Sequence, residues 1–232
     1  MKYPGDPVSK ARIFLAEQPL LTDLSEASLL ALACASKFIQ VEKGQFVFLQ
    51  SDPSEKVYIV RTGIISIVLE SSDGREMVIN EMHPGDFFGE LGVLTKKARS
   101  TSAVARSSCE LLVLPRQAFL SILDAEPVLA RRMLEITANR LRGSSERESA
   151  LAFLDAQARL ARLLLNLEKQ ELEKGYITIS QEELAQRTGQ TRQTVAKALG
   201  RWRRAGWLIT GRGRIMLLKH DSLSQLEQEW LF

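Results

Sequence analysis

The sequence predicts an α+β fold: an N-terminal β-roll with flanking helices, one long helix, and a C-terminal module of helices and a hairpin. Three observations predict it. From Phe38 to Leu114, short runs rich in Val, Ile and Phe are separated by glycine-bearing turns. From Pro127 to about Ala152 the apolar period is helical instead. Beyond Phe153 a second helical stretch leads into a strand pair around Gly211-Arg212-Gly213-Arg214.

The elements follow in order. Ser25 is placed to cap a short helix carrying Leu29, Leu30 and Leu32. The runs FIQVEK, FVFLQ, KVYIVRT, IISIVLES, REMVINEM, TSAVA and CELLVL then read as strands, divided by Lys43-Gly44, Asp52-Pro53, Gly63, Asp73-Gly74 and Pro84-Gly85. Many short strands at regular spacing imply a barrel or a roll. Ser72-Asp73-Gly74-Arg75 is a tight hairpin turn, with Asp-Gly supplying the positive φ angles. Pro127 opens the long helix, where its missing N–H costs nothing. Along that helix Ala130, Leu134, Thr137, Leu141, Ser144, Glu148 and Leu151 alternate at spacings of four and three, a coiled-coil seam. Its polar members suit an interface completed by something else better than a plain core, so a homodimer is expected. Another amphipathic helix, with Leu160, Leu163, Leu164 and Leu167, runs toward Lys174-Gly175. The domains expected are therefore residues 1–126, a long helix and hinge at 127–153, and 154–232, with the boundary near Phe153-Leu154-Asp155.

At 232 residues, 45% hydrophobic and 25% charged, the chain has enough apolar material for more than one core. The start, MKYPGDP, holds no apolar run, and Leu29 to Ala35 is too short to cross a bilayer, so no membrane association and a cytoplasmic address are expected. Cys34 and Cys109 are far apart and are expected to be buried small hydrophobes, too few for a metal site or an iron–sulfur cluster. A haem would need axial ligands; of the two histidines, His83 and His220, the first abuts a Pro-Gly turn and is expected to be exposed. No Ser-His-Asp set, His-rich site or Walker loop points to an enzyme.

Charge is segregated. Arg187, Arg192, Lys197, Arg201, Arg203, Arg204, Arg212, Arg214 and Lys219 fall in one 33-residue block that contains no Asp or Glu. The chain nets only +3, so everything outside this +9 block nets −6, and such asymmetry marks a face for a polyanion. At the start of the block and just before it, Ala185, Gly189 and Val195 have the offsets of a helix-turn-helix: a small residue where helices touch, a glycine for the turn, an apolar lock on the second helix. Ser180 and Thr191 are natural N-caps, and Val195, Leu199 and Trp202 form the inward stripe. Arg192, Gln193 and Lys197 are left facing out near the helix N-terminus, the end that reaches base edges in a major groove. Arg192 suits guanine, Gln193 adenine, and Lys197 guanine or phosphate. Thr191, Thr194 and Arg201 suit the DNA backbone, and the hairpin tip with Arg212 and Arg214 would lie along the phosphates.

A second constellation lies from Phe87 to Ala103. Gly89 lets the backbone approach a ligand, Glu90 can accept from vicinal hydroxyls, and a helical turn from Glu90 through Leu91 to Leu94 would aim free N–H groups at an anion. Arg99 offers the fork that a phosphodiester wants, and Ser100 adds a hydroxyl beside it. On the residues alone, an ion pair of Glu90 with Arg99 on a loop is an equal reading.

The run PGDFFGELGVLTKKARSTSA closely resembles the phosphate-binding cassette of cyclic-nucleotide-binding domains, including the eight residues between Glu90 and Arg99. RLRGSSERESALAFLDAQARL and ISQEELAQRTGQTRQTVAKAL resemble the dimer helix, hinge and recognition helix of the bacterial cyclic-AMP receptor protein/FNR family. The resemblance spans roughly Phe38 to Leu218. It implies a cyclic-nucleotide-binding jelly-roll, a dimerisation helix and a winged helix-turn-helix. The implied protein is a homodimer gated by cyclic AMP that binds a palindromic operator in double-stranded DNA, with RNA polymerase as a further partner.

In that likeness Gly89, Arg99 and Ser100 hold the cyclic phosphate, with Leu91 in the same cassette. Glu90 takes the ribose 2′-hydroxyl, Arg140 pairs with Glu90, Ser144 meets the purine of its own subunit and Ser145 the purine bound across the dimer. Two positions depart from the activator that gives the family its name: Ser144 stands where it has Thr, and Gln193 where it has Glu. The first leaves cyclic AMP expected over cyclic GMP, the second leaves the operator open, and a family member that responds to another effector or works without ligand is the alternative. The N-terminal cysteines required for FNR-type oxygen sensing are missing.

Overall fold

The computed structural model describes residues 6–71, 76–171 and 174–228. Two compact units divide the chain, one of residues 1–70 and 78–139, the other of residues 71–77 and 140–232.

The first unit opens with two helices. Asp6 caps α1 (Pro7–Ala16), accepting from the Val8 N–H at 2.9 Å, with Pro7 in the first helical position. This helix was not among those expected, although its cap and its proline are both local signals. Ser25 caps α2 (Glu26–Ala35) as expected, accepting from the Ser28 N–H. Glu126 doubles the cap from afar: one carboxylate oxygen accepts from the Ser25 N–H and from the Ser25 and Ser28 hydroxyls. These hydrogen bonds, Ser28's first, hold its carboxyl below the usual carboxylate range.

The strands are β1 (Lys37–Val41), β2 (Phe46–Phe48), β3 (Lys56–Thr62), β4 (Ile65–Glu70), β5 (Glu76–Met82), β6 (Phe87–Phe88), β7 (Ser102–Ala105) and β8 (Cys109–Pro115). They form two four-stranded sheets, ordered β1-β8-β3-β6 and β2-β7-β4-β5, a jelly-roll-like arrangement in which every recorded pairing is antiparallel. One apolar cluster (Val57, Ile59, Phe87, Leu112, Leu114) lies under the helices, and another (Val41, Phe48, Tyr58, Phe88, Leu111) fills the roll. Alternate residues of β3 therefore serve different cores, as a period of two demands. The two-residue β6, absent from the expected strands, pairs Tyr58 with Phe88 and Ile59 with Phe87, and so brings the start of the glycine-glutamate cassette against β3. The turn expected at Ser72-Asp73-Gly74-Arg75 lies outside the described residues.

A helix not expected from the sequence, α4 (Arg116–Ala125), follows β8 and buries Phe119 and Ile122. Pro127 then opens α5 (Pro127–Phe153), 27 residues long. Leu129 and Met133 anchor its first turns in the core. On the proposed seam Leu134 and Leu141 are 71% and 67% exposed, so the single chain leaves that stripe uncovered. One expectation fails. Cys34 is exposed, because α2 packs through Ser28, Leu29, Leu32 and Ala33, and Cys34 falls off that face. Cys109 is buried as expected, and His83 is exposed.

In the second unit α5 ends at Phe153, and Asp155 caps α6 (Ala156–Gln170) by accepting from the Gln157 and Ala158 N–H groups. After β9 (Ile177–Thr178), another short element missed in the sequence, come α7 (Gln181–Thr188), α8 (Arg192–Arg204), the hairpin β10 (Leu208–Gly211) and β11 (Arg214–Leu217), and α9 (His220–Gln228). The sheet order is β10-β11-β9, with β9 covering the outer edge of β11. Leu160, Leu164, Leu184, Val195, Leu199, Trp202, Ile215 and Leu223 make one core. The C-terminal tail is thus amphipathic and packs within this unit, although Trp230 and Leu231 lie outside the described residues.

Candidate effector pocket and nucleic-acid interface

The cassette is built around a backbone conformation that only glycine adopts without strain. Gly89 has φ +81° and precedes α3 (Glu90–Thr95). A Cβ at this position would lie 2.7 Å from Arg99 Nη1, so glycine is required by φ and by space at once. Gly92 in α3 is tighter still: a Cβ there would lie 1.9 Å from Ser54 Oγ and 2.7 Å from the Lys97 carbonyl.

Arg99 is 5% exposed and Glu90 3% exposed, so the two charged residues singled out in the sequence are both buried. The fork of Arg99 donates to the Gly89 and Lys56 carbonyls. Its face lies 4.2 Å from the Phe48 ring centroid, with Tyr58 at 5.8 Å, and Tyr58 in turn stacks on Phe88. Its main chain is clamped too, the N–H donating to Asp52 O and the carbonyl accepting from Ser51 N–H.

Burial pulls the guanidinium below its usual pKa, against the opposing influence of Tyr58 and Glu90. The Arg99 Nε is buried without a hydrogen-bond partner. A donor left over in a site otherwise saturated with carbonyls is what an incoming phosphate oxygen can use. This spare donor suits an anionic group. Leu91 and Ser100 sit on the exposed side of the same cassette. Phe48 and Tyr58, which hold the arginine plane, were not singled out in the sequence; aromatic residues in strands read as core there.

The remaining residues of the expected ligand set lie on α5, in the part belonging to the second unit. Arg140 and Ser144 are half-buried and Ser145 is exposed. The Ser144 hydroxyl is 3.5 Å from Glu148 Oε1, one turn along.

The helix-turn-helix forms as its spacing predicts. Ser180 caps α7, with Glu182 and Glu183 in the first turn, and Ala185 is buried where the helices meet. Gly189 adopts φ +65° at the turn, and Gln190 bonds back to Ala185 O and, through its side chain, to Ala156 O. Thr191 caps α8 by accepting from Thr194 N–H, and the two threonine hydroxyls share a hydrogen bond. Val195, Ala198, Leu199 and Trp202 face the core. Thr191, Arg192, Gln193, Thr194, Lys197 and Arg201 are all exposed.

The wing closes through the Gly211–Arg214 pair with Gly213 at φ +69°. Arg212 is exposed at its tip, whereas the Arg214 guanidinium lies 4.7 Å from the Tyr176 ring centroid. The outward residues thus all belong to one folded unit. Among the described residues no group of His, Cys, Asp and Glu could hold a metal, and no helix is long and apolar enough to cross a membrane.

Comparison with known proteins matches this geometry. The family model for the cyclic nucleotide-binding domain matches residues 38–126, and that for the Crp-like helix-turn-helix domain matches residues 158–226. A CRP-like cAMP-activated global transcriptional regulator of Mycobacterium tuberculosis is 30% identical over 200 residues, covering 84% of this chain and 89% of that protein. The cyclic AMP receptor protein of Thermus thermophilus is 32% identical over 184 residues, 79% of this chain and 85% of the relative. Among solved structures, the c-di-GMP responsive global regulator CLP of Xanthomonas campestris superposes with a TM-score of 0.75 at 25% identity, over 83% of this chain and 99% of that one. With both domains matched in order and relatives aligned over most of their length, the chain belongs to the CRP/FNR family of cyclic-nucleotide-binding, DNA-binding transcription regulators, which are not enzymes.

Proposed function

We propose that the protein is a homodimeric regulator of the cytoplasm whose DNA affinity is set by cyclic AMP. Residues 1–126 form the effector domain, 127–153 the dimer helix and hinge, and 154–232 the DNA-binding domain. The observation that carries the reading is the buried Arg99, held edge and face by carbonyls and rings, with its Nη1 against Gly89 and its Nε unpaired. A cyclic phosphate takes that donor and the Ser100 hydroxyl. Leu91 flanks it, and Glu90 accepts from the ribose 2′-hydroxyl. Arg140 pairs with Glu90, and Ser144 and Ser145 complete the purine site from the two protomers.

The uncovered leucines and polar groups of α5 then gain partners in the second copy. The break at Phe153–Asp155 lets the DNA-binding heads take a new register. Two recognition helices about 34 Å apart, one turn of the duplex, would fit a palindromic operator. Arg192 and Gln193 read bases, Lys197 takes guanine or phosphate, and Thr191, Thr194, Arg201, Arg212 and Arg214 hold the backbone. A coupling of about 1–3 kcal/mol raises DNA affinity roughly 5- to 150-fold, enough for a switch.

A second reading replaces cyclic AMP with another cyclic nucleotide. It is motivated by the likeness to a c-di-GMP responsive regulator and by Ser144, which lacks the methyl of the activator's Thr. Titration calorimetry with cyclic AMP, cyclic GMP and cyclic di-GMP separates the two. Heat with cyclic AMP that vanishes in Arg99→Ala supports the first, and heat only with another nucleotide moves the effector to the second. Selection of bound duplexes from a random pool, with and without cyclic AMP, then reports operator symmetry and gating together. An unpaired half-site, or binding indifferent to nucleotide, defeats the dimer switch.

A further inference from the structure

The outward surface of α8 carries two parallel ridges of side chains. Gln193, Lys197 and Arg201 follow one another at four-residue spacing and keep long polar side chains. The adjacent ridge, Arg192, Ala196, Gly200 and Arg204, is cut down in the middle to Ala and Gly. A shallow notch of about 350 Å³ results, lined by Ala196, Lys197, Gly200, Arg201 and Arg204.

Gly200 has no explanation inside the protein. It is the ninth of thirteen residues of α8, with helix on both sides. Its φ is not in the left-handed region, and a Cβ built on it would meet nothing within 4 Å. Neither backbone conformation nor packing therefore excludes alanine, although glycine in a helix interior is the less stable choice. What the missing side chain makes room for must come from outside the chain. The notch is bordered by Lys197, Arg201 and Arg204, and α8 contains no acidic residue, so the visitor is an anion that comes close to the helix backbone.

We infer that Ala196 and Gly200 form a bare track on which a DNA sugar–phosphate strand seats against α8, its phosphate gripped by Lys197, Arg201 and Arg204. The inference rests on α8 being the helix laid against DNA and adds to it a steric requirement at Gly200 and a phosphate ligand at Arg204. The contact positions the duplex and carries no base information, since its donors grip phosphate.

Gly200→Ala tests it, because stability and binding should move in opposite directions. The substitution should raise the melting temperature by about 2–4 °C, as expected for a Gly→Ala change in a chain of this size. It should weaken DNA binding at least about fivefold, the effect of overfilling a close contact. The loss should be equal on the selected operator and on a random duplex. Arg204→Ala should lower the slope of log affinity against log salt by about 0.9 per protomer, and Gly200→Ala should leave that slope unchanged.

A Gly200→Ala protein that is more stable and binds every duplex as tightly as the native one overturns the inference. So does a loss confined to the operator, which would place a base at Gly200 and no phosphate. Should the native protein bind no duplex at all, the assignment of α8 as the DNA-reading helix fails instead.

Discussion

The cassette and the recognition helix both carry charge for a phosphate-bearing ligand, yet they treat it in opposite ways. Glu90 and Arg99 are buried, Arg99 held by carbonyls and aromatic faces, in a cassette whose two glycines leave no room for a Cβ. Arg192, Gln193 and Lys197 stand in solvent on a helix whose other face does all the packing. A small effector yields little contact area, so its site gains from groups ordered in advance and kept dry. A duplex supplies area and long-range charge, so the face that meets it needs a firm scaffold and mobile cations. It follows that substitutions in the cassette damage fold and binding together, whereas on α8 the two separate.

The largest effect belongs to Gly92→Ala. With Ser54 Oγ and the Lys97 carbonyl both inside contact distance of the new Cβ, we expect a loss of roughly 3 kcal/mol in a chemical melt and no nucleotide heat. A near-native melt would show the cassette to be softer than its geometry. Arg99→Lys comes next. It keeps the charge but cannot serve the Gly89 and Lys56 carbonyls as a fork, so about 1–3 kcal/mol of stability should go together with most nucleotide affinity. Retained stability with lost affinity would make the cassette resemble the DNA face and break the contrast.

Thr191→Ala is smaller, about 1 kcal/mol, because one cap is lost at the Thr194 N–H. DNA affinity should fall with it, since the cap orients the base-reading end of α8. Least costly to the fold are Arg192→Ala and Gln193→Glu, both within about 0.5 kcal/mol of native stability. Their operator preference should nevertheless shift by about 1–3 kcal/mol at the base pair each reads, measured by competition between duplexes. A stability change there exceeding the Thr191→Ala effect would mean that these side chains hold the domain together.

Much of the architecture was legible because it is local. Strand runs with a period of two, the Pro127 start of α5, the Asp155 break and the Ser180 and Thr191 caps each announce themselves within a few residues. The helix-turn-helix was legible for the same reason, since Ala185, Gly189 and Val195 act at short range. α1 carries equally local signals in Asp6 and Pro7. The two-residue β6 and β9 had none, for each exists only because a distant strand pairs with it.

The cassette shows the same division within one site. Gly89, Glu90, Arg99 and Ser100 could be picked from spacing and resemblance, but the direction of the guanidinium could not. That direction depends on the Lys56 carbonyl and the Phe48 and Tyr58 rings, which lie 41 to 51 positions earlier in the chain. Cys34 was misjudged because which side of α2 meets the core is decided by the elements packed against it.

By itself, then, the amino-acid order determined where most of the longer elements begin and end, which stretch would carry positive charge, and which residues could meet an anion. These follow from backbone hydrogen bonding, periodicity and composition over short spans. Tertiary structure decided which charges are buried and which exposed, what each arginine leans on, and where a glycine leaves a gap. Desolvation and packing are set by neighbours remote in sequence, and those neighbours are present only once the chain has folded.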